Sequence, residues 1–295
     1  MPSKKVLCAF GVHVDAIAGW LGTYGGEDSI SDISCGLFAG EVGIQRLLDL
    51  FKKHNLKSTW FIPGHSIETF PVQCKKVVKA GHEIALHGYL HEDPRKCSVE
   101  QQRAIMHKSY DLIKDLSGKA PRGTCAPFNQ LSETQVDILE ELGIEYDNSM
   151  SAHDCLPYWL VDGHSWTKVQ YDKPAEEWMK PFVHGTRKRN IVEIPCSWYM
   201  EDMMPMQYLQ NVGNANGWVD PRTVEYMWKE RFEYFYENYD EFVFPMTLHP
   251  DTAGLPHVLR MVERFLLWTM SKSGVEWVEY GDINDWHRAK NPSKQ

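Results

Sequence analysis

Apolar residues along this chain fall in short runs, separated by longer stretches with helical spacing. Eight runs read as buried strands, at roughly residues 5–12, 58–63, 82–87, 122–126, 144–148, 191–196, 242–248 and 275–280. Between them, residues 43–54, 72–80, 98–118, 132–143, 221–239 and 256–274 carry apolar positions at the period of an amphipathic helix. Ser132 with Gln135 marks one helix start, and Gly143 and Gly274 mark two helix ends. Strands alternating with helices predict a parallel sheet with right-handed crossovers. Seven or eight such units fit an α/β fold of the (β/α) barrel type, intact or distorted, with a doubly wound open sheet as the runner-up. No GxGxxG follows a strand, which weakens a dinucleotide-binding reading. Residues 151–190 and 199–220 are long, aromatic and irregular, and are expected to be loops covering one end of a single domain spanning 1–295. The tail RAKNPSKQ is expected to be loose.

A barrel places functional side chains at the C-terminal ends of its strands. Polar candidates lie there: His13 and Asp15, His65, His87 and His91, Asn148, Trp198, and His249. In HEIALHGYLH, His87 and His91 are four positions apart, a spacing that puts two imidazoles on one face of a helical turn. With Asp15 they form a set of two imidazoles and a carboxylate, which leaves open positions for water and substrate on zinc or another divalent ion. The competing account is two histidines on a surface turn; strand-end placement favours the metal. His249, in FPMTLHPD, is a candidate general acid, against a capping or core role. Asp251 either orients that imidazole or caps the next turn. His65 and Ser66 are expected to pack or cap a helix start, and Cys125 to be a structural thiol. Trp198 and Tyr199 are candidate cleft residues, with Met203, Met204 and Met206 filling irregular packing.

Composition narrows the class. Of 295 residues, 43% are hydrophobic and 24% charged, as in a soluble globular protein, and no apolar run is long enough to span a membrane. The N-terminal MPSKKVLCAFGV passes straight into a strand, so no signal peptide is read and a cytoplasmic location is expected. Seven cysteines without a CxxC suggest free thiols. The net charge of −9, with TRKRN at 186–190 as the one short basic run, argues against a nucleic-acid partner. The 11 Trp and 13 Tyr suit a sugar-binding cleft, but equally a well-packed core.

Longer stretches carry a family resemblance: AGWLGTYGGEDS, GLFAGEVG, STWFIPGHSIETF, AGHEIALHGYLHEDP, EEWMKP, VEIPCSWYMED and FVFPMTLHPD. The chain resembles the polysaccharide deacetylase family, the NodB homology domain. The nearest part is its intracellular branch of peptidoglycan deacetylase-like proteins, cyclic imide hydrolases and fungal chitin deacetylase-like proteins. The resemblance implies a distorted (β/α) barrel, one divalent metal, usually zinc, and often a homo-oligomer. It implies Asp15, His87 and His91 as ligands, His249 as general acid, and removal of acetyl groups from N-acetylglucosamine units or opening of related amides. The chain departs from the family at the site. His13 stands where the family carries its general base, an Asp. APFNQ, with Pro127 and Phe128 in the cleft wall, replaces APWWE, and Leu255 stands where an Arg is frequent. His13 is then a substitute base, a fourth metal ligand, or a sign that the reaction is lost. Three functions follow: a metal-dependent amide hydrolase of N-acetylated sugars, a hydrolase of a small amide, imide or specialised metabolite, or a non-catalytic sugar-binding homologue.

Overall fold

A computed structural model describes residues 4–210, 212–213 and 217–292. The described residues form nine strands: β1 (Lys5–His13), β2 (Thr59–Ile62), β3 (Glu83–Leu86), β4 (Gly123–Thr124), β5 (Tyr146–Asp147), β6 (Tyr158–Asp162), β7 (Arg187–Glu193), β8 (Glu241–Leu248) and β9 (Val275–Trp277). They make one curled sheet in the order β6-β7-β5-β4-β3-β2-β1-β8, with β9 also on β1. Every pairing is parallel except β6 with β7. β6 and β8 are the two ends of the strand order, so the barrel is distorted and open rather than closed.

β1 organises the rest. Its Lys5–Val12 segment lies along Glu241–Leu248 of β8, its start along β9, and its Gly11–His13 end along β2. The run KVLCAFGVH is buried from Val6 onward, as expected of a parallel strand covered on both faces. Phe10 stacks on Phe51, while Phe232 sets its edge against Phe242 and Phe244, so aromatic side chains join sheet to helices.

The helices in chain order are α1 (Ala16–Gly22), α2 (Ile30–Phe38), α3 (Ile44–Lys53), α4 (Gly64–Thr69), α5 (Pro71–Lys79), α6 (Val99–Ser117), α7 (Glu133–Glu141), α8 (Ala175–Trp178), α9 (Met203–Met206), α10 (Pro221–Asn238), α11 (Pro250–Ala253), α12 (Pro256–Met270) and α13 (Tyr280–Lys290). A π-helical turn, Ala39–Gly43, links α2 to α3. Its Gly43 backs onto the Pro250 carbonyl, where a Cβ would stand 2.2 Å away. Ser132 Oγ accepts from the Gln135 N–H at 3.1 Å, as its spacing predicts. No helix among the described residues is long and apolar enough to cross a membrane.

Several expectations are corrected. The strand expected over 275–280 stops at Trp277, because Glu279 and Asp282 form a reciprocal cap that starts α13. The tail is not loose through residue 290: Arg288 bonds the carbonyls of Glu145 and Asn190. Residues 293–295 of that tail lie outside the described residues. The stretch 151–190 is not purely loop, since β6 returns antiparallel along β7, which itself begins at Arg187. Within 199–220, α9 forms and Glu201 bridges Thr247. Residues 211 and 214–216 of that stretch lie outside the described residues.

Candidate active site

At the C-terminal end of β1 the chain turns sharply. The Val14 N–H bonds the Phe61 carbonyl at 3.0 Å, which keeps Asp15 in line with the sheet. Ala16 then takes a left-handed φ of +46°, and α1 begins. Asp15 is thereby fully buried over the sheet's end. His87 follows β3 in the same way. The four-residue spacing to His91 is not part of a helix: Gly88 (φ +66°) and His91 itself (φ +57°) fold a tight turn. That turn brings the two rings to 5.1 Å between centroids, so the pairing holds although its expected helical geometry does not.

The three side chains meet. Asp15 Oδ1 lies 3.2 Å from His87 Nε2, and Oδ2 lies 3.3 Å from His91 Nε2. His87 Nδ1–H donates to the Cys125 carbonyl at 2.6 Å, which fixes the tautomer and leaves the Nε2 lone pair facing inward. Asp15 Oδ1 and His87 Nε2 are buried with no hydrogen-bond partner. Burial opposes ionisation of Asp15, yet His91 and His87 hold its carboxyl well below the usual range. Burial pushes the His87 pKa down.

His13 ends β1 inside the same cavity. Its ring is 4.4 Å from the His87 ring, 5.2 Å from that of His249 and edge-on to Phe61 at 5.1 Å. Its Nε2 is buried without a partner. Burial, then His87 and His249, hold its pKa well below the ordinary value, so the ring is neutral.

His249, directly after β8, has its Nε2 3.6 Å from Asp15 Oδ2. Its Nδ1–H donates to Asp202 Oδ1 at 2.7 Å, and its backbone N–H bonds the same carboxylate. Burial opposes the charge, but Asp202, Asp15 and Glu201 together raise its pKa to about 10, so the ring is an imidazolium at neutral pH. The orienting carboxylate is therefore Asp202 rather than Asp251. Neither oxygen of buried Asp251 has a hydrogen-bond partner, so it makes no bond to the imidazole. Sequence reasoning missed Asp202, although two adjacent carboxylates just beyond a strand, in YMED, were a usable signal.

A narrow cleft opens over these groups, walled by Phe128, Asn129, Trp198 and Met203. Phe128 and Trp198 meet edge to face at 5.3 Å. Phe128 and Asn129 both take left-handed backbone, φ +54° and +53°, the kind of strain found where surrounding structure fixes a functional wall. Of the other expected cleft residues, Pro127 is buried behind the wall against Gly88. Tyr199 lines a neighbouring apolar groove with Met204 and Pro205. His65 and Asn148 do not line the cleft; Asn148 bonds the Ile194 carbonyl, and Cys125 donates its thiol to the Asn148 carbonyl.

An open, distorted barrel with this cluster at its strand ends defines a class, and comparison with known proteins gives the same one: the chain belongs to the polysaccharide deacetylase family, whose family model matches residues 39–146. It is 46% identical over 293 residues to the peptidoglycan deacetylase of Helicobacter pylori, covering 99% of this chain and 100% of that protein. It is 43% identical over 289 residues to a peptidoglycan deacetylase-like protein of Gibberella zeae, covering 94% and 85%. Among solved structures, a Mycobacterium smegmatis protein assigned as a polysaccharide deacetylase superposes with a TM-score of 0.83 at 23% identity, over 99% of this chain and 93% of that one.

Proposed function

We propose that this chain is a metal-dependent hydrolase that removes the N-acetyl group from a peptidoglycan-like or chitin-like sugar. The observation that carries this is the convergence of Asp15, His87 and His91, whose ligand atoms lie within 4.8 Å of one another, buried. Two of those atoms, Asp15 Oδ1 and His87 Nε2, lack any other partner, and the nitrogen and oxygen donors suit zinc or another divalent cation. When bound, such a cation polarises the amide carbonyl and makes water more acidic.

The chain's own residues supply the proton transfers. His13 stands at the base position: its neutral Nε2 takes a proton from water as the C–O bond forms at the carbonyl carbon. His249 Nε2–H then gives its proton to the nitrogen as the C–N bond breaks, with Asp202 holding the ring in place. Phe128 and Trp198 hold the sugar beside these groups. A second substrate class, a small amide or imide, is favoured by one observation: Phe128 and Trp198 touch across the wall of the cleft that His13 also lines, which narrows it. The exposed aromatic residues Trp166, Tyr171 and Phe182 of the arm before β7 support a homo-oligomer, and the seven free cysteines support a reducing, cytoplasmic setting.

Zinc-loaded protein incubated with N-acetylated chito-oligosaccharides, peptidoglycan fragments and a small amide panel tests the proposal, with products read by mass spectrometry. Deacetylated sugar from the natural chain, absent with Asp15→Ala, is the expected result. Product from His13→Asp alone would mean that the fold holds the sugar while the natural chain has given up this reaction. Turnover of the small amides alone would move the substrate assignment. Sugar binding that survives Asp15→Ala without any product would make the chain a sugar-binding homologue.

A further inference from the structure

We propose that Thr23 and Tyr24, the two residues that follow α1, are positioning residues that clamp Asp15 and His91 from behind and set the strength of the metal site; this rests on the metal-centre reading above. The clamp is a single turn. The Thr23 and Tyr24 N–H groups both bond the Gly19 carbonyl, at 3.1 and 2.9 Å, which pins the turn to α1. The buried Tyr24 hydroxyl donates to Asp15 Oδ2 at 2.5 Å. Thr23 Oγ1 lies 2.6 Å from His91 Nδ1. One ligand from β1 and one from the turn after β3 are thus tied to consecutive residues of a third segment.

The surroundings leave this turn little freedom. The Tyr24 ring stands edge-on to Trp20 and to His91, at 5.5 and 5.4 Å between centroids. A Cβ on Gly19 would stand 2.4 Å from the Tyr24 ring, so only glycine leaves room for it. A Cβ on Gly22 would stand 2.2 Å from the Leu90 carbonyl oxygen and 2.5 Å from that of His91, so α1 ends directly against the ligand-bearing turn.

The chemistry follows from the donors. Tyr24 occupies one carboxylate oxygen of Asp15 and leaves Oδ1, which has no partner, to face the centre. A cation on His91 Nε2 requires the ring proton on Nδ1, where Thr23 Oγ1 is placed to accept it and hold that tautomer. Neighbours that fix the far side of a metal ligand typically change metal affinity by about 10–100-fold when removed.

The test uses the full chain as apoprotein, titrated with Zn²⁺ in competition with a chromophoric chelator, and the Co²⁺-loaded protein read by visible absorption. Tyr24→Phe keeps the ring and removes only the hydroxyl; Thr23→Val removes the other partner; Thr23→Ser restores it. Tyr24→Phe and Thr23→Val are each expected to weaken Zn²⁺ binding by about tenfold or more and to shift the Co²⁺ ligand-field bands, while Thr23→Ser binds like the natural chain. Loss of apoprotein melting temperature with unchanged affinity and unchanged Co²⁺ bands would make the turn merely structural and overturn the inference. Asp15→Ala separates the two failures. If the natural chain binds Zn²⁺ no better than Asp15→Ala, the metal centre itself is wrong and the clamp falls with it. If Asp15→Ala alone loses binding, only the clamp is overturned.

Discussion

Two halves of one cavity differ in how their histidines are held. His87, His91 and His249 each have Nδ1 engaged: by the Cys125 carbonyl at 2.6 Å, by Thr23 Oγ1 at 2.6 Å and by Asp202 at 2.7 Å. Their Nε2 atoms therefore face the cavity by construction. His13 sits among rings instead, against His87, Phe61 and His249, and its buried Nε2 has no partner. The first half is built for a fixed task, with each proton placed by a neighbour. In the second half the role of the side chain depends on what enters the cleft. His13 is also held neutral while His249 is held as an imidazolium, so the two halves differ in charge as well as in support.

Substitutions sharpen that contrast, beginning with the largest effect. Asp15→Ala should remove bound metal and lower deacetylation on the order of 10³-fold, checked by metal content and steady-state kinetics. Retained metal and activity would dissolve the first half. His13→Ala should cost about 10²-fold in kcat if the residue is a base, with Zn²⁺ affinity little changed. A large loss of affinity would instead move His13 into the ligand set and erase the contrast. Asp202→Asn should lower kcat by roughly tenfold with little change in KM, because the acid loses the partner that places its proton. An unchanged kcat would show that His249 needs no orienting group.

The smallest effect concerns stability, below the cavity. Asp147 and Glu193 are register neighbours on β5 and β7, both fully buried. Ser149 bonds both carboxylates, and Met150 donates its N–H to Glu193. Burial pushes Asp147 up to about 6, and burial with the Asp147 charge pushes Glu193 well above the ordinary carboxylate value. Both carboxyls are harder to ionise folded than unfolded, so the folded chain binds more protons above the unfolded pKa of about 4. Stability should then fall as pH rises from about 4 through about 6, the opposite sign to a salt-bridged carboxylate. Glu193→Gln keeps an acceptor and removes one charge. It should flatten that decline and gain about 1 kcal/mol near neutral pH, or about 2 °C in melting temperature. An unchanged slope in melts across that range would mean that burial does not raise these carboxyls as argued.

Legibility in the sequence followed the range of the interaction. β1, β2, β3 and β8 are continuous apolar runs, and their parallel pairing follows from the helices between them. Asp15, His87, His91 and His249 could be placed because strand ends are where such a fold puts its chemistry. β6 was missed because only Leu160 of YWLVD is fully buried, so the segment lacks a clear period. α13 was missed because YGDINDWHRAK mixes polar residues into its buried face, including Asn284 and His287. Asp202 lies 47 residues before the ring it holds, and Thr23 lies 68 residues before His91. No local pattern encodes such contacts; they appear only once the turns have folded.

The position of β1 bears on how the molecule is made. The strand that carries His13 is complete by residue 13, yet its longest partner starts at Glu241. At roughly 5–20 residues per second, a ribosome needs about 10–45 s to cover that gap. Once residue 91 has been added, and for the rest of that interval, the nascent chain holds Asp15, His87 and His91 but not His249. Asp15, His87 and His91 precede His249, and a chain released early would carry the first three without the fourth. Pulse-labelled nascent chains, arrested before and after residue 249 and probed by limited proteolysis, should become protected only in the longer set.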